Sequence, residues 1–149
     1  MEWLKRQFAY AFMETVPGGG KPEMSLNVVH GPFGVGHLTI EPVEVAHGKL
    51  PIFGYRIGKA AYITDASYIP AASMEKLRGL EVLVINALRF RPHLTHFSVQ
   101  ESLEVIDRLK PRKAFLTHIC HELEHDETNA ALTDGVEVAY DGLEVNVND

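Results

Sequence analysis

The sequence predicts an α/β domain in which helices layer onto a sheet. Three observations carry that expectation. Residues 24–64 are rich in Val, Ile and aromatic residues interrupted by glycine turns. "EVLVIN", Glu81 to Asn86, reads as a buried strand, and Ala114 to Thr117 reads as another. Between them lies a capped amphipathic helix, so a strand-rich first half gives way to an alternating second half. At 149 residues the chain is read as one domain, 1–149, long enough to bury a substantial core.

Taken in order, Trp3, Leu4, Phe8 and Phe12 fall at helical spacing and predict a short amphipathic helix over 3–12. Pro17-Gly18-Gly19-Gly20 ends it. Met24 to Ala46 reads as strands around the turn Gly31-Pro32-Phe33-Gly34. Ile52 to Thr64 reads as a hairpin in which Phe53, Tyr55 and Ile57 face Ala61 and Ile63 across Gly58-Lys59. A helix follows over Pro70 to Leu77. Ser98-Val99-Gln100-Glu101 opens the next helix as a reciprocal capping box, with Val99, Leu103, Ile106 and Leu109 as its buried stripe. Pro111 stops that helix. A short helix is expected near Asp126 to Leu132, then a hairpin, "VEVAY-DG-LEVNV", turning at Asp141-Gly142.

Composition excludes several functions. The chain is 46% hydrophobic and 23% charged, with a net charge of -6. That balance argues against a nucleic-acid groove or an anionic membrane surface, both of which need clustered Lys and Arg. No apolar run approaches the roughly 20 residues that span a bilayer. The start, Met-Glu-Trp-Leu-Lys-Arg-Gln-Phe, is too charged for a secretory segment. The single cysteine, Cys120, makes no internal disulfide and fits a reducing cytoplasm.

The unusual feature is eight histidines, six of them between His47 and His125. Polar residues that do chemistry in α/β proteins sit where strands end and loops begin. Three such places stand out: His47 before Gly48, Asp65 after Ala60 to Thr64, and His118 after Ala114 to Thr117. Neutral imidazole and carboxylate suit zinc, manganese or iron. Asp65 equally fits a helix N-cap, and a lone His47 fits a turn histidine. His118 is harder to explain away, because it comes paired with His121 at a strand end. His121-Glu122-Leu123-Glu124-His125 spells the HExxH pattern of zinc proteases. Its context weighs against that reading: it follows a strand by three residues, and no third histidine comes after His125.

"HGKLPIFGYRIGKAAYITDASYIP", "LTHFSVQESLEVIDRLKPRKAFLTHICHE" and "DGVEVAYDGLEV" together resemble the later half of the metallo-β-lactamase superfamily, in its branch of PhnP-type cyclic phosphodiesterases. The resemblance covers most of residues 8–145. It implies an αββα sandwich with metals at one edge. It further implies that His47 ligates one metal, Asp65 bridges two, and His118 ligates the other. His121 would lie behind these ligands. His96, in Thr95-His96-Phe97-Ser98, matches a histidine near the substrate phosphate that donates a proton to the leaving oxygen.

The family's HxHxDH loop has no counterpart here, since no two histidines are two positions apart and none precedes His30. The expectation is therefore an incomplete sandwich, the C-terminal portion of a larger enzyme. A small phosphodiester is the expected substrate of the complete enzyme, with weak metal binding and slow turnover in this chain alone. Half a sandwich would leave the sheet around Val82, Val84, Phe115 and Leu116 wet, which implies a homodimer. The alternative is a non-catalytic interaction or oligomerisation module of the same fold.

Overall fold

The computed structural model describes residues 1–14, 20, 22 and 24–147. These form two compact units, Met1–His30 and Gly31–Asp149. Of the expected helix stop, Pro17, Gly18 and Gly19 lie outside the described residues.

In the first unit, α1 (Glu2–Gln7) gives way to a 3₁₀ turn at Ala9–Ala11, so the expected helix over 3–12 is broken. The break is at Phe8, whose φ of -111° and ψ of 39° leave the helical region. Trp3 and Phe8, both expected on an apolar stripe, are exposed. Met24 to His30 carries no strand, contrary to expectation.

The second unit is built on a seven-stranded sheet in sequence order. Its strands are β1 (Phe33–Val35), β2 (Leu38–His47), β3 (Leu50–Ile57), β4 (Ala60–Ile63), β5 (Val82–Asn86), β6 (Lys113–Thr117) and β7 (Val136–Val138). Antiparallel pairing joins β1 through β4, and parallel pairing joins β4 through β7. Parallel neighbours need crossovers. Here α2 (Ala71–Lys76), α3 (Val99–Leu109) and α4 (His125–Ala131) supply them. Two antiparallel steps separate β2 from β4, so β2, β4, β5 and β6 all run the same way and end at one edge.

The hairpin register differs by one residue from the sequence expectation. Tyr55 pairs with Tyr62, Arg56 with Ala61 and Ile57 with Ala60. Ala61 and Ile63 therefore point to the face opposite Phe53, Tyr55 and Ile57, because a one-residue slip reverses every side chain. Ala61 and Ile63 join Val43, Val45, Leu83, Ile85, Ala114 and Leu116 in the core beneath α2 and α3. Gly54 makes room there, since a Cβ at that position would run into Ile63 Cδ1.

The capping box at the start of α3 forms as the spacing predicts, with Ser98 accepting from the Glu101 amide and Glu101 accepting from the Ser98 amide. Its buried stripe is rotated. Val99, Ser102, Val105 and Leu109 are buried, whereas Leu103 and Ile106 are only partly so. Ser102 takes a core position because its hydroxyl donates to the Asn86 carbonyl at 2.6 Å. At the far end, Asp141-Gly142 does turn the chain, with the Leu143 amide donating to the Tyr140 carbonyl. No strand follows among the described residues. Val136–Val138 instead pairs parallel with β6, and Leu143 to Val145 border a cavity with Phe115.

Consistent with an incomplete sandwich, one sheet face is partly bare, but not where the sequence placed it. Val82, Phe115 and Leu116 are 3%, 2% and 0% exposed. Leu116 faces the helices, while the alternate strand positions of Val82 and Phe115 lie on the other side. The bare apolar surface is carried by Phe33, Val35, Phe53, Ile57 and Tyr62, towards the antiparallel end of the sheet.

Candidate metal centre

In open sheets containing parallel strands, ligands collect beyond the carboxyl ends of the strands, where loops diverge. That edge of this sheet holds His47 as the last residue of β2, Asp65 just past β4, Asn86 at the end of β5 and His118 just past β6. His96 arrives on the loop between β5 and α3. Asp65 is not a helix N-cap, a role that falls to Pro70. Asp65 and His118 both hold left-handed backbone, at φ of 57° and 56°. Side chains other than glycine occupy that region at a cost, and such residues gather at functional sites.

Ligand-capable atoms of His47, Asp65 and His96 all lie within 4.8 Å of one another. His96 Nε2 and His118 Nε2 lie 3.4 and 3.5 Å from the same oxygen, Asp65 Oδ1. Those spacings are long for a charge-assisted hydrogen bond, which favours about 2.7–2.9 Å. They match the separation of about 3.4 Å between two ligands on a tetrahedral ion with bonds near 2.1 Å. The rings are close as well. His96 stacks on His118 with centroids 4.9 Å apart, and His47 meets His96 edge-on at 4.6 Å.

His47 Nδ1 lies 2.9 Å from the carbonyl oxygens of both Asp65 and Thr95. Carbonyls only accept, so Nδ1 carries a proton, and in the neutral ring the lone pair lies on Nε2. Metal-bound histidines are held in this way by a backbone carbonyl on the other nitrogen. Gly48 permits the approach, because a Cβ there would sit 2.9 Å from Thr95 Cγ2 and its φ is +61°. The donor set thus fits a divalent metal: a tautomer-fixed imidazole, two further imidazoles and a shared carboxylate.

Burial pushes the Asp65 carboxyl up, but the Thr64 hydroxyl, His118 and His96 together outweigh it and hold the group below its ordinary range. The Thr64 hydroxyl donates to Asp65 Oδ2 at 2.9 Å, leaving Oδ1 to the histidines. His96 is also held low. Desolvation is the main cause, the hydrogen bond to Asp65 opposes it, and the neighbouring imidazoles of His118, His47 and His93 add to it. A neutral imidazole and an ionised carboxylate are the forms that bind metal.

Sequence reasoning named His47, Asp65, His96 and His118, and all four are at this edge. It passed over His93, whose Nδ1 is 3.1 Å from His96 Nδ1, and Thr95, whose hydroxyl is 3.0 Å from His96 Nδ1. "HLTH" held that signal, with a second histidine three residues before His96. His121 is exposed and does not belong to the cluster of ligand-capable atoms. The stretch 121–124 is not helical and His125 opens α4, so His121 and His125 do not share a helix face. His125 turns instead to Asp126 Oδ1 at 3.2 Å and the Val138 carbonyl at 3.3 Å.

Residues 1–119 match the family model described as the Beta-lactamase superfamily domain. A solved structure, "Crystal Structure of a New Diphosphatase from the PhnP Family", superposes with a TM-score of 0.86 at 41% identity. That match covers 99% of this chain and 55% of the other. The metallo-β-lactamase fold protein YhfI from Bacillus subtilis matches at TM-score 0.64 and 19% identity, covering 76% of this chain and 52% of the other, which shows the fold alone. Among curated proteins, an octanoyltransferase of Porphyromonas gingivalis is 33% identical over 153 residues, covering 100% of this chain but 31% of that protein. The chain therefore spans about half of the similar PhnP-family structure and under a third of the curated relative. No helix among the described residues is long and apolar enough to cross a membrane.

Proposed function

Because the chain belongs to the metallo-β-lactamase superfamily, in its PhnP-type branch of hydrolases, we propose that it forms part of a metal-dependent phosphodiesterase acting on a small phosphodiester. The observation that carries this is the convergence of His47, Asp65, His96 and His118 at one strand edge, with the His47 tautomer already fixed. The diphosphatase among the similar structures supports a phosphoryl substrate. The octanoyltransferase bears less on the reaction, since this chain matches only 31% of it.

In this reading His47 and His118 would each hold a divalent ion, with the Asp65 carboxylate shared between them. Zinc, manganese and iron all suit imidazole and carboxylate. Bound there, such ions would supply activation of water near neutral pH and neutralisation of charge on the phosphoryl oxygens. Asp65 presents Oδ1 between His96 and His118 while Thr64 occupies Oδ2. His96 would protonate the departing alkoxide in its imidazolium form, which the hydrogen bond to Asp65 favours against burial, with Thr95 and His93 on its other nitrogen. His121 is exposed and outside the cluster, so any support it lends His118 comes from beyond the ligand set. These residues give each ion fewer than the three protein ligands usual for catalytic zinc. Weak binding and slow turnover are expected of this chain alone.

The test is hydrolysis of a chromogenic phosphodiester with added zinc or manganese, comparing the chain with His47→Ala and Asp65→Ala. Metal-dependent turnover that both variants abolish supports the reading. Turnover indifferent to both overturns it. The ordered cluster and the hydrolase relatives disfavour a purely structural module. The bare face carrying Phe33, Val35, Phe53, Ile57 and Tyr62 supports a homodimer. A sedimenting species of twice the chain mass at micromolar concentration is expected, and a stable monomer removes that proposal.

A further inference from the structure

The backbone segments that carry Asp65, His96 and His118 meet around one buried amide. Asn86 ends β5, is 0% exposed and touches no ligand position itself. Its Oδ1 accepts from the Ala66 amide at 2.8 Å, and its Nδ2 donates to the Ala66 carbonyl at 3.0 Å. The two partners fix the orientation of the amide, since an N–H only donates and a carbonyl only accepts. Ala66 is the residue after Asp65. The same Ala66 carbonyl accepts from the amide of Phe97 at 2.7 Å, the residue after His96. Beside Asn86, the Ala87 amide donates to the carbonyl of Thr117 at 2.9 Å, the residue before His118. Ser102 of α3, also 0% exposed, holds the Asn86 backbone through its carbonyl at 2.6 Å.

We infer that Asn86 is a positioning residue that sets the spacing of Asp65, His96 and His118 by clamping Ala66 to the end of β5. The inference rests on reading the cluster as a metal site. A strand-end glycine, serine or apolar residue would satisfy the sheet equally well, but could not pair both polar groups of Ala66 at once. Asp65 sits at a positive φ immediately before the clamp. Without the clamp, that peptide is free to relax towards ordinary backbone and swing the carboxylate away from His96 and His118. Fully satisfied buried polar groups rigidify their surroundings in this manner, and a half-satisfied pair does not.

Cobalt binding tests this without any need for turnover, because the visible spectrum of bound cobalt reports ligand geometry. Asn86→Asp keeps the shape and the acceptor but sets an oxygen against the Ala66 carbonyl. It is expected to weaken cobalt binding by roughly 10- to 100-fold, the range for groups that orient ligands, and to alter the spectrum. Leu109→Ala removes core packing at the opposite end of α3 and serves as the control for general destabilisation. It is expected to lower the melting temperature yet leave the cobalt affinity and spectrum as they are in the parent chain. If Asn86→Asp does not fold, Ser102→Ala loosens the same strand end and is expected to cost about 10-fold. An unchanged affinity in the folded Asn86→Asp chain overturns the inference, as does an equal loss in Leu109→Ala. If Asn86→Asp fails to fold, an unchanged affinity in Ser102→Ala does the same. A parent chain that takes up no cobalt, or takes it up equally after His47→Ala, overturns the metal reading itself and this inference with it.

Discussion

Two histidine-rich regions of this chain look alike as text and differ as chemistry. "HLTH" with His47 and His118 forms the strand-edge cluster, whereas "HELEH" belongs to the approach to α4. In the first, histidines from β2, from the β5–α3 loop and from the end of β6 meet one carboxylate. In the second, His125 is satisfied locally by its sequence neighbour Asp126 and the Val138 carbonyl, and His121 stays exposed. Density of histidine along the chain therefore says little. Position at the carboxyl ends of strands running the same way says far more, because the sheet converts residues distant in sequence into neighbours.

Substitutions can break or sharpen that contrast. The largest effect is expected at Asp65, which faces two histidines at once. Asp65→Ala should weaken zinc or manganese binding beyond the roughly 10- to 100-fold typical of groups that only orient ligands, as read by equilibrium dialysis. Retained affinity would put the cluster in the same class as His125. Next comes His96→Ala, expected to lower turnover by about 10²- to 10⁴-fold as the loss of a proton donor, with metal content intact. Loss of metal along with turnover would make His96 a ligand instead, a role its place within 4.8 Å of His47 and Asp65 also permits.

His121 lies between the two regions. If it supports His118, His121→Ala should cost about tenfold in metal affinity, while no change would group it with His125. The smallest effect is at His125 itself. Its imidazole titrates above the ordinary histidine range, chiefly through the hydrogen bond to Asp126, against some desolvation and with help from the Val138 carbonyl. A raised folded value means that the contribution to stability is fully present below the unfolded histidine pKa and fades as pH rises through the folded one. Urea midpoints of the parent and His125→Gln should therefore differ slightly at about pH 5 and converge by about pH 9. A difference that grows with pH would reverse the assignment.

Much of this was legible in the residues, and the failures have identifiable causes. The box Ser98-to-Glu101 is a local interaction, so its spacing suffices to locate α3. Strand-end chemistry at His47, Asp65 and His118 was legible because each follows an apolar run. The turn at Gly58-Lys59 was legible, but the facing of its side chains was misread, because a two-residue loop pairs Ile57 with Ala60 and so sets Ala61 and Ile63 on the other face. The wet face was misplaced because Phe115 is buried, and the tail Leu143 to Val145, which reads as a strand, instead borders a cavity beside it without pairing. Asn86 was invisible for a deeper reason. A polar residue ending an apolar run looks like a simple stop, and only the fold shows that it answers both polar groups of a peptide 20 positions away.

The left-handed residues bear on how this protein would respond to selection in the laboratory. Asp65, Lys110 and His118 share a conformation that glycine adopts with less strain, and the strain is about 1 kcal/mol each. A library screened for heat resistance alone should drift to glycine at all three positions. One screened for metal uptake should accept the change at Lys110, which merely caps α3, and refuse it at the other two. Positions where the two screens diverge would trace the functional edge of the sheet from survival alone.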